Sequence, residues 1–133
     1  KMLTPLSSMY NLVWVTETTT YASYDDADYY LIQTGSDDRF CFFKMLMNLF
    51  RSLRIWVKEK PDYVISTGTM VALPLIFLAK FLKKKVIYIE TFARVYDGTR
   101  TGKLVYKYAD LFIIQWESLR DIYPNAVYGG SLY

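Results

Sequence analysis

The sequence predicts an α/β fold, a parallel sheet with helices on both faces, and three observations carry that reading. Short runs of β-branched and aromatic residues alternate along the chain with segments of helical periodicity, the order that parallel strands joined by crossover helices require. The strand-like runs DYVIS, VIYIE and LFIIQ are almost continuously apolar, as in strands covered on both sides. Hydrophobic residues make up 53% of the 133 residues and charged residues 22%, which supplies one core and excludes a disordered segment. The expectation is a single Rossmann-like domain over residues 1–133, with ligands at the carboxyl ends of the strands.

Each element follows from local pattern. Leu12 to Thr16 (LVWVT) and Tyr29 to Thr34 are strand-like runs separated by a polar Thr/Tyr/Asp region, and Gly35 ends the second. From Arg39 to Lys60, Phe42, Leu46, Leu49, Leu53 and Trp56 recur at four-three-four-three spacing, which aligns them on one stripe of a long helix that Pro61 stops. Asp62 to Ser66 is then a strand, Thr69 to Leu82 a mostly apolar helix, and Val86 to Glu90 a strand. A helix over Thr101 to Tyr108, a strand over Leu111 to Gln115, a helix over Glu117 to Tyr123 and a strand over Ala126 to Tyr128 complete the alternation. There is no internal repeat. The longest uncharged apolar run, Met70 to Ala79, falls short of the ~20 residues that a bilayer-spanning helix needs.

Composition excludes several chemistries. The sequence has no His and one Cys, so it offers neither a Ser/His or Cys/His pair nor a zinc cluster, and no metal or cofactor is expected. Cys41 reads as a small hydrophobe, which favours the cytoplasmic side over an oxidising compartment. Lys1 to Asp38 carries a net charge of −5 and the remainder +8, within a total of +3. That split suits a face turned toward an anionic surface, and equally a solvated acidic loop. Lys44, Arg51, Arg54 and Lys58 form a basic stripe on the Arg39–Lys60 helix, flanked by Phe43, Met47 and Phe50. This is the pattern of a helix lying on a membrane surface, and equally of an amphipathic helix with a solvated basic face. No nucleic-acid-binding motif accompanies the basic residues.

Chemistry is expected at the strand ends. Gly68 follows the Asp62–Ser66 strand and precedes a helix, so the Thr69 and Met70 amides can hold a phosphate oxygen there; an ordinary tight turn uses the same residue. Glu90 ends the next strand on the same edge as Thr67 and Gly68, and is a candidate general base, a partner for sugar hydroxyls, or a cap for loop amides. Arg94 and Arg100 follow in the loop, able to neutralise a diphosphate or to remain surface residues. The segment GTRTGK (Gly98–Lys103) superficially resembles a phosphate-binding P-loop. It fails, because its glycine spacing is one residue short and Leu104 stands where the magnesium-binding Ser/Thr belongs.

PDYVISTG, Ala72 and Pro74 of the following helix, KKVIYIETFARV, TGKLVYKYADLFIIQWE and YPNAVYGG run densely from Pro61 to Tyr128, and LSSMYNLVWVTE more loosely from Leu6 to Glu17. In that order they closely resemble bacterial capsule and exopolysaccharide biosynthesis proteins of the PssD type. These are relatives of the membrane-anchoring subunit of the two-part N-acetylglucosaminyltransferase of eukaryotic N-glycan assembly. The resemblance implies the acceptor-side half of a GT-B glycosyltransferase, whose nucleotide-sugar-binding half is a separate polypeptide. By likeness to the more distant MurG enzymes, it implies that Thr67, Gly68 and Thr69 contact a polyprenyl-diphosphate-linked sugar acceptor. Glu90, Thr91 and Arg94 would line the cleft, with Gln115, Trp116 and Glu117 as a cleft or partner-contact element.

The family pattern also begins with a strand and a Gly-Gly-His loop that do not occur in this sequence, so the chain is expected to be N-terminally incomplete and to lack a central strand. Two functions remain open. One is the acceptor-binding subunit of a UDP-sugar-dependent hexosyltransferase at the cytoplasmic membrane face. The other is a non-catalytic membrane scaffold that recruits and activates the catalytic subunit. A sugar-nucleotide epimerase or binding domain of similar fold ranks behind both, because fold alone does not specify chemistry.

Overall fold

A computed structural model describes residues 3–18, 27–34 and 38–131. The acidic residues Asp25, Asp26 and Asp37, and the Gly35 expected to end the second strand, lie outside them. The chain forms two compact units, residues 1–60 and 61–132. The described strands divide between two sheets, both parallel, one in each unit.

In residues 1–60, β1 (Val15–Thr18) pairs with β2 (Tyr29–Ile32), Val15 opposite Tyr29 and Thr18 opposite Ile32. The first strand begins later than its apolar run. The Asp28 carboxylate accepts the Trp14 amide at 2.7 Å, and the Trp14 carbonyl accepts the Asp28 and Tyr29 amides at 2.9 and 3.1 Å, so the regular ladder opens only after Trp14. Helix α1 (Cys41–Glu59) starts where the Asp38 carboxylate accepts the Phe40 amide at 3.0 Å and pairs with Lys44. It ends at Lys60, whose left-handed φ of 46° lets its amide reach the Trp56 carbonyl at 2.9 Å before Pro61 blocks continuation.

The apolar stripe of α1 exists, but most of it is not the face the helix buries. Phe42, Leu46, Leu49 and Leu53 are exposed, whereas Asn48, Ser52, Ile55 and Trp56 are buried. The Asn48 amide decides this. Its Oδ1 accepts the Ile32 amide at 2.8 Å and its Nδ2 donates to the Ile32 carbonyl at 2.8 Å, satisfying both polar groups of the last residue of β2. Ser52, one turn further on, is small enough for close approach of helix to strand.

In residues 61–132, β3 (Tyr63–Ser66), β4 (Lys85–Ile89), β5 (Leu111–Ile114) and β6 (Val127–Tyr128) lie side by side in chain order. Each falls where the apolar runs place it, to within a residue or so. The helix expected over Thr69–Leu82 is a 3₁₀ turn (Met70–Ala72) followed by α2 (Leu73–Phe81), because Pro74 lacks an amide hydrogen and fits only a first turn. Helix α3 (Arg100–Val105) is shorter than expected, and the last helical segment is a 3₁₀ turn, Glu117–Asp121.

Val86, Tyr88, Phe112 and Ile114 are buried on one sheet face, while on the other Ile89 is buried and Ile65, Ile87 and Ile113 are half-buried. Tyr88 stacks on Phe112 with centroids 5.0 Å apart, and Tyr106 and Tyr123 complete an aromatic cluster around that ring. At the amino edge, the Asp110 carboxylate accepts the Val86 amide at 2.8 Å and pairs with Lys80 at 3.1 Å. The hydrogen bond from Val86 is the main reason its carboxyl lies below the ordinary range, with Lys80 adding to it.

Two outcomes follow for stability. Asn48→Ala leaves the Ile32 amide and carbonyl without their partner and costs about 1–3 kcal/mol in urea unfolding. Asp110 contributes stability that is present above the carboxylate's unfolded pKa and is lost as pH falls through its lowered folded value. The acid limb of the stability profile, read between about pH 6 and pH 2, is therefore shallower in Asp110→Asn.

Candidate functional site: the carboxyl edge of the four-stranded sheet

Because β3, β4 and β5 are adjacent and parallel, the residues following each emerge on one edge. That edge brings together Thr67, Gly68 and Thr69 after β3, Glu90 and Thr91 after β4, and Gln115, Trp116 and Glu117 after β5. Gly68 has φ +94°, and a Cβ there would sit 3.3 Å from both Thr91 Cβ and the Thr91 amide nitrogen. The first loop thus rests on the start of the second. Thr67 is exposed, Thr69 and Thr91 are half-buried, and the Ser66 hydroxyl is buried with no hydrogen-bond partner among the described residues.

Glu90 lies beneath this edge with no solvent exposure. Its carboxylate accepts the Thr91 amide at 3.0 Å, the Thr99 amide at 3.2 Å, the Thr99 hydroxyl at 2.9 Å and the Tyr123 hydroxyl at 3.0 Å. No Lys or Arg among the described residues pairs with it. Of the three roles the sequence allowed, the contacts seen here are those of a cap: the two amides bracket the loop Thr91–Thr99 and fix its ends. Burial pushes the Tyr123 hydroxyl far above its ordinary pKa, and the neighbouring Glu90 adds to this, so Tyr123 stays protonated and donates. Tyr88, raised chiefly by burial, contacts the Thr99 hydroxyl at 3.3 Å.

The network accounts for the GTRTGK segment. Thr99 is the N-cap of α3, its hydroxyl accepting the Gly102 amide at 2.8 Å. A Cβ on Gly102 would fall 2.0 Å from Glu90 Oε2, and one on Gly98 would fall 1.9 Å from the Tyr123 hydroxyl. The two glycines clear space for a buried carboxylate and its phenol donor, not for a phosphate.

A second set of bonds holds the same loop from β5. Gln115 Nε2 donates to the Glu90 carbonyl at 2.9 Å, Trp116 Nε1 donates to the Phe92 carbonyl at 2.8 Å, and the Ser118 hydroxyl donates to the Val95 carbonyl. The Trp116 and Phe92 rings lie 4.8 Å apart. Gln115 is buried and Trp116 half-buried, so this segment straps the loop down, while Glu117 points to the exposed surface. Arg94, at the loop's outer side, pairs with Asp97 at 3.1 Å, and both side chains are at least half exposed.

Lys44, Arg51, Arg54 and Lys58 belong to α1 in the other unit. Lys44 is taken by Asp38, Arg51 donates to the Tyr30 carbonyl at 3.2 Å, and the Lys58 ammonium lies 5.3 Å from the Tyr29 ring centroid. Cys41 is free and half-buried, and the described residues contain no cluster able to hold a metal ion. No helix among them is long and apolar enough to cross a membrane. Sequence reading missed Thr99 and Tyr123. The available signal was a strand-end Glu that needs donors and a Thr N-cap set between two glycines.

Residues 35–132 match the family described as oligosaccharide biosynthesis protein Alg14 like. The UDP-N-acetylglucosamine transferase subunit ALG14 of Homo sapiens is 30% identical over 96 residues, covering 68% of this chain and 44% of the human protein. The subunit of the same name from Schizosaccharomyces pombe is 40% identical over 75 residues, covering 53% of this chain and 36% of that protein. The chain spans less than half the length of these relatives.

Gly102→Ala forces its new methyl group into the Glu90 carboxylate and lowers stability by about 3 kcal/mol in thermal or urea unfolding. Tyr123→Phe removes one donor from a buried carboxylate and costs about 1–2 kcal/mol. Hydrogen exchange then shows faster opening of the Thr91–Thr99 amides in both variants.

Proposed function

This chain belongs to the Alg14-like family of oligosaccharide biosynthesis proteins, and from that premise we propose that it is the acceptor-binding part of a two-component glycosyltransferase. The relatives are by name subunits of a UDP-N-acetylglucosamine transferase, which supports a UDP-sugar donor held by a separate catalytic chain. The acceptor in this reading is a polyprenyl-diphosphate-linked sugar at the cytoplasmic membrane face. The PssD-type resemblance of the Pro61–Tyr128 motifs supports a role in capsule or exopolysaccharide synthesis with a hexose as the transferred group.

The observation that carries the proposal is the braced carboxyl edge, where Gly68, between Thr67 and Thr69, lies against Thr91, with Arg94 further along the same loop. Thr67 and Thr69 supply hydroxyl donors, Gly68 lets the backbone come close, and the Arg94 guanidinium supplies the charge-assisted bonds a diphosphate demands. Such a surface works by positioning: it holds the acceptor hydroxyl at the donor sugar delivered by the partner. Glu90 serves this surface as a positioning residue, because its oxygens are occupied by donors of the loop they organise. That same occupancy favours the second reading, a scaffold whose contribution is to recruit and activate the catalytic chain.

The full-length protein, reconstituted with its catalytic partner, separates the two. Arg94→Ala and Thr67→Val are expected to lower turnover roughly 10–100-fold and raise the acceptor KM while the complex remains intact. Unchanged turnover in an intact complex would instead establish the scaffold.

A further inference from the structure

We propose that Phe92, Trp116 and Glu117 form a binding site for the sugar ring of the acceptor, a pyranose laid on the aromatic pair with its hydroxyls turned to the carboxylate. This rests on the acceptor-binding function proposed for the same edge, and extends it from the diphosphate to the sugar bonded to it. The Phe92 and Trp116 rings lie 4.8 Å apart at 40°. In the core, the stack of Tyr88 on Phe112 leaves those residues 0% and 5% exposed, whereas Phe92 keeps 37% and Trp116 is half-buried. Aromatic rings gain most from burial, so a pair held at the surface has a face to offer. The one polar atom of the Trp116 side chain, Nε1, donates to the Phe92 carbonyl at 2.8 Å, which fixes the indole and leaves only carbon for further contact. Phe92 itself sits in a tight turn in which the Thr91 carbonyl accepts the Arg94 amide at 3.3 Å. Both rings are therefore in place before a ligand arrives, which lowers the cost of binding.

The neighbouring carboxylate identifies the occupant. A pyranose has faces of C–H groups, which suit the negative face of an aromatic ring, and a rim of hydroxyls, which need acceptors. Glu117, next to Trp116, is exposed and forms no ion pair among the described residues, so its oxygens are open to hydroxyl donors. An isoprenoid chain fits worse, because it would strip water from that carboxylate and return no hydrogen bond. Position agrees with the chemistry. Phe92 directly follows Thr91, whose Cβ and amide would lie 3.3 Å from a Cβ on Gly68, and precedes Arg94 by two residues. The acceptor sugar is bonded to the diphosphate, so a diphosphate held by Thr67, Thr69 and Arg94 leaves its sugar within reach of the Phe92 ring.

The test uses the full-length protein in complex with its catalytic partner and without UDP-sugar, so that binding is read without turnover. Calorimetry compares citronellyl diphosphate capped with a methyl ester, which keeps the charge of the linked form, with analogues carrying glucose, galactose or N-acetylglucosamine in place of the methyl group. At least one sugar should bind about tenfold tighter than the methyl-capped compound. Trp116→Leu and Phe92→Leu should each remove most of that advantage and leave the methyl-capped compound unaffected, and Glu117→Gln should reduce it. Phe92→Leu keeps the carbonyl that Trp116 bonds, so it separates a lost ring from a loosened loop. Arg94→Ala should weaken every compound alike. No sugar advantage in the wild-type complex, or one that survives both leucine variants, overturns the sugar site, while Arg94-dependent binding of the methyl-capped compound leaves the acceptor-binding function standing. Failure of all the compounds to bind overturns both. Dissociation of the complex in both leucine variants would assign the rings to the partner chain and overturn the proposal.

Discussion

A carboxylate buried without a cation organises residues 61–132. Glu90 has no exposure and no Lys or Arg partner among the described residues, yet a charged group in such a place is tolerated only if its lone pairs are met. They are met by neutral donors, namely the amides of Thr91 and Thr99 and the hydroxyls of Thr99 and Tyr123. Hydrogen bonds to an ionised acceptor are worth about 1.5–3 kcal/mol each, and an unmet one is costly, so the set is all-or-none. The start of a loop, its end, a helix cap and a core phenol are therefore fixed by one side chain.

Several otherwise unrelated residues become consequences of that arrangement. Gly98 and Gly102 are needed because no side chain fits beside the Tyr123 hydroxyl and the Glu90 oxygen. Tyr123 is placed by ring contacts with Phe112 and Tyr106, so the hydrophobic core aims a donor at the site. From the other direction, Gln115, Trp116 and Ser118 donate to the carbonyls of Glu90, Phe92 and Val95, at the entry to the loop and within it. A nine-residue connection with no regular structure is thereby held at its amides from below and at its carbonyls from the side. It presents its outer residues with little conformational freedom left to lose on binding.

What was legible in the sequence was whatever depends on neighbours along the chain. Continuous apolar runs gave β3 to β6, and Pro61 marked the end of α1, since local sterics and burial dominate there. The rejection of GTRTGK as a phosphate loop needed only spacing, but its real purpose depends on Tyr123, more than 20 residues away, and no local rule reaches it. Helix α1 shows the opposite limit. Periodicity found the Phe42–Leu46–Leu49–Leu53 stripe, yet burial followed the polar amide of Asn48, because pairing two strand-end groups outweighed the apolar stripe. At the candidate site, the strand ends were readable from topology. The occupancy of Glu90 was not, because its donors come from three separate segments.

The choice of neutral donors for Glu90 bears on what the edge can bind. Had an arginine compensated the buried carboxylate, that charge would have been spent inside the fold and its guanidinium fixed there. Instead, Arg94 stays at the rim with Asp97, an exposed pair that in water is worth only about 0–1 kcal/mol. A diphosphate brings more charge and more acceptor oxygens than one aspartate, so it can take the guanidinium over at small cost. In the proposed acceptor-binding reading, the buried Glu90 shapes the loop from inside, while Arg94 stays at the rim, where its only cost of meeting a diphosphate is the exposed pair with Asp97.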